Sequence, residues 1–236
     1  MATPEQRTMQ VTPSQGRPRR IIKVGLLLAL LSAILATVCA GAGRAEDTHT
    51  AAVSQRDVQA KLTYCEVCHG PSARGFVGYY PIPRLAGQQP EYLTNQLQAF
   101  VERRRVNPIM FSVGHVLSPA MIAGLAANFH DLNPKPLGGA PKELVPAGKK
   151  IFEEGIPAAN VPACASCHGP EAKGNGPFPR LAGQLFDYVS NKLTNWDKER
   201  GQNPAKPDTS AIMEPIAHGL TAPQIKAVAA YLSYLE

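Results

Sequence analysis

The chain has 236 residues, with 24 Lys and Arg, 18 Asp and Glu, and five cysteines. Its formal charge of +6 is concentrated in residues 1–45, which hold six basic side chains and one acidic one; beyond them 18 basic residues face 17 acidic ones. That near-balance excludes a basic nucleic-acid-binding surface and a strong long-range steering field, and the 191 residues that carry it suffice for one large or two small domains.

The N-terminal segment sets Arg17, Arg19, Arg20 and Lys23 before an uncharged run from Val24 to Gly43 that ends in small residues. This order of charge, apolar run and small side chains is that of a secretory signal, so residues 1–45 read as a signal peptide cleaved after Ala42 or Ala45, and the rest as periplasmic. Cleavage removes Cys39, whose neighbour Val38 is too bulky for a lipid-attachment site. The alternative is an uncleaved anchor, since the 19 residues from Val24 to Ala42 match the length that spans a bilayer.

A helix is predicted over Arg56 to Tyr64, followed by CEVCHGP at residues 65–71 and PRLAGQ at 83–88. From Glu91 to Arg104, Tyr92, Leu93, Gln96, Leu97 and Phe100 stand at helical spacing. The stretch IMFSVGHVLS, residues 109–118, reads as a loop leading into a closing helix with Ser118 as N-cap and Pro119 in the first turn. Between Asp131 and Gly148, four prolines and three glycines cannot sustain a helix. Residues 133–146 therefore read as a linker between an N-terminal domain at 46–132 and a C-terminal domain at 147–236.

The second domain replays the first. Its predicted helix at Ala147–Glu154 precedes CASCHGP at 164–170, 99 positions after the first motif, then PRLAGQ at 179–184 and a helix from Tyr188 to Trp196. After a seven-residue insertion come IMEPIAHGLT at 212–221 and a closing helix capped by Thr221. This is an internal duplication. No strand-like alternation of useful length occurs, so the fold class is all-α, with two tandem helical domains.

Three chemistries use a Cys-x-x-Cys pair: a disulfide or redox dithiol, a zinc site, and covalent attachment of a haem. A redox dithiol of thioredoxin type needs a βαβ setting, which this pattern lacks. A zinc site built from Cys65, Cys68, Cys164 and Cys167 leaves His69 and His168 without a role and bridges two self-contained repeats. A disulfide across two residues requires no neighbouring histidine. Covalent haem accounts for all three residues of each motif: the thiols add to the two vinyl groups on one edge of the porphyrin, and the next imidazole reaches the iron. It also solves a size problem, because a module of about 90 residues made of short helices and long loops has little apolar material for its centre.

For the second axial ligand, the duplication aligns Met110 with Met213 and His115 with His218, and it sets aside Met121 and His130, which align with Gln224 and Ser233. Methionine often serves as core filler. Position favours it here, since each stands seven residues before Leu117 or Leu220, ahead of the last helix, where a thioether can fold back over the haem. His115 and His218 are the alternative.

On these residues the chain resembles the dihaem cytochromes c of the c4 type, built from two class I cytochrome c modules, over residues 54–236. The resemblance implies two covalently bound haem c groups, one iron held by His69 and Met110 and the other by His168 and Met213. It also implies that the carbonyls of Pro83 and Pro179 receive the imidazole N–H. Arg84, Arg180, Tyr92 and Tyr188 are candidate propionate partners or, equally, packing residues.

An iron with both axial positions filled has no place for substrate, so the expected role is outer-sphere electron transfer and not catalysis. The leading expectation is a periplasmic shuttle carrying electrons from a quinol-oxidising bc complex or a dehydrogenase to a terminal oxidase or other acceptor. The alternatives are a tightly bound cytochrome subunit of a sulfur or alcohol dehydrogenase, or a dihaem enzyme such as a peroxidase or thiosulfate dehydrogenase, which needs one open or labile iron. Expected partners are redox proteins, with no nucleic acid and with membrane contact only through partners or the N-terminal segment. The chain departs from the family pattern in a longer, more aromatic first loop, SARGFVGYYPIPRL, and in the second loop GQNPAKPDTS.

Overall fold

Ser54 caps the first helix, α1 (Gln55–His69), its side chain accepting from the Asp57 amide, in a computed structural model whose described residues are 53–200, 205 and 209–236. The leader with Cys39, and most of the GQNPAKPDTS loop, lie outside those residues. Helix α1 runs beyond Tyr64 through the whole CEVCH motif and stops at Gly70, whose φ of 77° suits a residue without a Cβ. Three more helices follow: α2 (Pro90–Val101), α3 (Pro108–His115) and α4 (Pro119–Asp131). Each begins with proline, whose missing N–H would find no partner at a helix start. Ser118 caps α4 as the sequence indicates, accepting from the Met121 amide at 3.2 Å. The IMFSVGHVLS stretch is not a loop but mostly α3, because Pro108 opens a turn that the Asn107 side chain caps by accepting from the Met110 amide at 3.0 Å.

The second half repeats this order with one interruption. Helix α5 (Val145–Glu154) ends at Gly155, and residues 155–163 make an excursion pinned by the Ile156–Val161 bridge before the short α6 (Ala165–His168). Then come α7 (Phe186–Thr194), α8 (Trp196–Glu199), α9 (Met213–Gly219) and α10 (Ala222–Tyr234). Thr221 opens α10, its amide donating to the Gln224 side chain at 2.8 Å. Among the described residues there are isolated bridges but no strand, as the all-α reading requires.

Each half has its own apolar centre. In the first, Val58 and Leu62 of α1 meet Leu93 of α2 and Leu125, Ala126 and Phe129 of α4. In the second, Phe152 of α5 meets Val189 of α7 and Val228, Ala229 and Leu232 of α10, and Val161, Leu220 and Ile225 form a satellite under the excursion. Matched alanines, Ala73 and Ala86 against Ala172 and Ala182, complete the two centres.

The helix crossings are tight. A Cβ on Gly148 would lie 1.9 Å from the Ala227 carbonyl oxygen, so α5 touches α10 backbone to backbone. Gly148→Ala is expected to force the helices apart and cost about 1–3 kcal/mol or more, as overpacking does, read as a lowered midpoint in chemical denaturation.

The segment read as a linker is not a free tether. Pro136 lies beside Gly183, Gly138 beside the Tyr234 ring, and the Tyr234 hydroxyl donates to the buried Ala140 carbonyl. Residues 52–236 fall in one compact unit. Among the described residues no single helix is long and apolar enough to cross a membrane.

Candidate functional site

His69 closes α1 and His168 closes α6, each held in place by the turn that follows. The Gly75 amide donates to the His69 carbonyl at 2.7 Å, and the Gly174 amide to the His168 carbonyl at 2.8 Å. Both imidazoles are buried, at 8% and 5% exposure. His69 Nδ1 donates to the Pro83 carbonyl at 2.8 Å and His168 Nδ1 to the Pro179 carbonyl at 2.9 Å. A carbonyl only accepts, so Nδ1 carries the proton and Nε2 is left as a bare lone pair in each ring. Burial holds both imidazoles below the usual histidine range, with the proline carbonyls opposing it. A neutral imidazole with a fixed tautomer is the form that binds iron.

The cysteines lie one and four positions before each histidine, all four as free thiols. Burial raises the Cys65 thiol and pushes that of Cys164 up to about 11, so neither is poised as a reactive thiolate. Among the described residues the four sulfurs are not gathered into a metal-binding cluster, which removes the zinc alternative.

The distal candidates separate. Met110 and Met213 are half-buried, near the start of α3 and at the start of α9. His115 is exposed and stacks on Phe111 at 5.6 Å, while the exposed His218 pairs with Asp197 through Nε2 at 2.8 Å. Both histidines thus have surface occupations. Met121 packs on the first core and His130 bonds the Gln88 carbonyl at 3.1 Å, so neither is a spare ligand.

Where the two halves meet, the PRLAGQ segments clasp each other. The Arg180 side chain lies against Gly87, and the Arg84 guanidinium against Gly183. Arg84 Nε donates to the Ala86 carbonyl and Arg180 Nε to the Ala182 carbonyl, but Nη1 and Nη2 of Arg84 and Nη2 of Arg180 are buried without a hydrogen-bond partner. Burial, then the like charges of Arg180 and Arg74, push Arg84 down to about 10. Two buried guanidiniums without a counter-ion are costly unless an anion reaches them. Haem propionates are such anions, and with the CxxCH thiols and the free Nε2 atoms the residues fit two haem groups.

Tyr92 and Tyr188 have a different occupation from the propionate contact considered for them. Tyr188 OH accepts from Arg105 Nη2 at 2.8 Å, and Tyr92 bonds Arg200, in both cases across the two halves. Arg105 and Arg200 also converge on Gln96 Oε1, each at 2.8 Å, and stack on Phe100 and Trp196. The sequence gives no periodic signal for this cluster.

The first loop is longer than its counterpart by three residues. Its Phe76–Ile82 bridge matches the Asn175–Phe178 bridge of the second half, and the extra residues present Tyr79 and Tyr80 at 91% and 77% exposure.

A family model described as cytochrome c matches residues 145–236. The chain is 38% identical to a cytochrome c4 of Thiocapsa roseopersicina, across 73% of this chain and 87% of that protein. It is 34% identical to a thiosulfate dehydrogenase electron acceptor of Thiomonas intermedia strain K12, across 72% and 77%. The structure of Acidithiobacillus ferrooxidans cytochrome c4 superposes with a TM-score of 0.61 at 37% identity, covering 73% of this chain and 99% of that one.

Proposed function

Since the chain belongs to the cytochrome c4 family of dihaem electron-transfer proteins, we propose that it is a periplasmic carrier that takes electrons from a quinol-oxidising bc complex or a dehydrogenase and delivers them to a terminal oxidase or other acceptor. The observation that carries this reading is the pair of buried histidines, each with Nδ1 donating to a proline carbonyl and Nε2 free beside a Cys-x-x-Cys pair. When bound, each haem supplies a one-electron centre. The chain's own residues do the rest. His69 and Met110 would hold one iron, and His168 and Met213 the other. Cys65, Cys68, Cys164 and Cys167 fix the porphyrin edges, and Arg84 and Arg180 receive propionate charge. Matching ligand sets in both halves support a carrier over an enzyme, which would leave one position open. The exposed Tyr79, Tyr80, Ile109 and Val116 all lie in the first half and support a partner-facing surface there.

The relative named as an electron acceptor for thiosulfate dehydrogenase supports a dehydrogenase as donor, and so favours the dedicated-subunit alternative. The two readings part on purification. A carrier isolates alone and is reduced by quinol through membrane-bound bc complex, whereas a subunit copurifies with a dehydrogenase and stays oxidised in the quinol assay. Peroxide turnover by the isolated protein would overturn both.

Export has its own test. The mature chain is expected to start near Gly43 or Glu46 and to be recovered from the periplasm without detergent. A native mass that retains Val24 to Ala42 would show an anchor instead.

A further inference from the structure

Each proximal hydrogen bond continues into the opposite half of the molecule. The Pro83 carbonyl that accepts from His69 and the Arg84 amide that donates to Gln184 Oε1, 2.9 Å away, belong to one peptide unit. In mirror fashion, the Pro179–Arg180 peptide accepts from His168 at its oxygen and donates to Gln88 Oε1 at 2.7 Å from its nitrogen. The orientation of both side-chain amides is fixed, because Gln184 Nε2 donates to the Arg84 carbonyl at 3.0 Å and Gln88 Nε2 to the Arg180 carbonyl at 3.1 Å. A flipped amide would set donor against donor and acceptor against acceptor. Gln88, Gln184, Arg84 and Arg180 are all buried, so water does not stand in for a lost partner.

We propose that Gln184 tunes the proximal ligand of the first haem and Gln88 that of the second, each across the interface. This rests on the axial assignment made above. A hydrogen bond accepted from a peptide N–H polarises that peptide and makes its carbonyl a better acceptor, strengthening the next bond by about 10–30%. A stronger carbonyl draws the Nδ1–H proton, makes the imidazole a more electron-rich ligand and so favours ferric over ferrous iron. Loss of the glutamine amide therefore raises the potential of the haem in the other half. Gln184 and Gln88 are positioning residues, since they act only through the peptide between them and the imidazole. The remaining hydrogen bonds of the two side chains are local: Gln184 Oε1 also accepts from the Leu185 amide and Gln88 Oε1 from the Gln89 amide.

The test compares Gln184→Met and Gln88→Met in the full holoprotein, methionine keeping the side chain's length without its polar atoms. Met110→Ala and Met213→Ala first assign the haems, each abolishing one hyperfine-shifted axial-methionine methyl resonance. If neither abolishes one, the axial assignment is overturned and the relay with it; the remaining outcomes bear on the relay alone. Gln184→Met is expected to shift the reduction equilibrium of the first haem toward ferrous by up to about two-fold, the size of that cooperative share of a neutral hydrogen bond. It should also move the His69 Nδ1–H proton resonance upfield in the ferrous state and leave the second haem unmoved. Gln88→Met should do the converse. Shifts confined to the variant's own half, equal shifts of both haems, or no shift at all would overturn the proposal. The two variants test the same relay, so failure of one to fold leaves the other decisive. If neither folds, free-imidazole Nδ1–H resonances in the ferrous wild type would overturn it without a variant.

Discussion

Met110→Ala is expected to create a carbon monoxide site on the reduced protein, at a stoichiometry of about one per chain, because on the proposed axial assignment its thioether closes that iron. The near-infrared charge-transfer band of thioether-to-haem ligation should fall to about half in the oxidised protein, and the potential of that haem should drop, since thioether ligation raises it. Met213→Ala should do the same to the other haem, and the double variant should lose the band. His115→Ala and His218→Ala provide the contrast. One removes a ring stacked on Phe111 at the surface and the other an exposed partner of Asp197, so both spectra should stay as they were. If a histidine variant opens a haem, the axial assignment is wrong. If the wild type already binds carbon monoxide or peroxide at one iron, the carrier reading yields to the enzyme.

Cys65→Ser combined with Cys68→Ser should be the most damaging change in the first half. The pyridine haemochrome stoichiometry is expected to fall to about one per chain, with the remaining haem on the second motif. The loss goes beyond a cofactor. The first core rests on Val58, Leu62, Leu93, Leu125 and Phe129, with alanines filling the remainder, and a haem is a far larger apolar body than any of them. Its removal should exceed the ~3–5 kcal/mol of truncating one buried Phe and melt α1 to α4. The second half should survive but weaken, because Gln184 and Arg180 lose their opposite numbers and an orphaned buried polar group costs about 1–3 kcal/mol. Hydrogen exchange read half by half checks this. Full protection of residues 55–131 in the variant would show that the helices stand without the haem.

Much of this molecule was legible in its sequence. The repeated motif singled out His69 and His168, which the fold buries with Nδ1 on a proline carbonyl, and the caps Ser118 and Thr221 placed the closing helices, because those signals are local and have fixed spacing. The misread elements share a cause. The sequence pattern carries the first helix only to Tyr64, where the motif begins, yet nothing between Cys65 and His69 breaks a helix and α1 continues to His69. Residues 109–118 read as a loop by themselves, but Pro108 just ahead of them stands in the first position of α3, where proline starts a helix. Gln88, Gln184, Arg105 and Arg200 could not be found by periodicity. They stand in connecting segments and pair with residues about a hundred positions away, which no local rule of turns or caps addresses. The one available hint was that PRLAGQ recurs with its polar residues intact.

The clasp between those two segments is isologous. Arginine from one copy lies on glycine of the other and glutamine grips the arginine backbone, then the same pairs recur with the copies exchanged. A surface of that kind is complementary to itself, so one module already carries both the lock and the key. The tandem chain is in this sense a homodimer made covalent. Tethering raises the effective concentration of each copy near the other to the millimolar range, so the clasp forms without any need for tight association between separate molecules. Joined in this way, the copies need not be identical. The excursion at residues 155–163 belongs to one and the aromatic hairpin at 76–82 to the other, while the seam carries the same PRLAGQ residues on both sides, as a self-complementary contact requires.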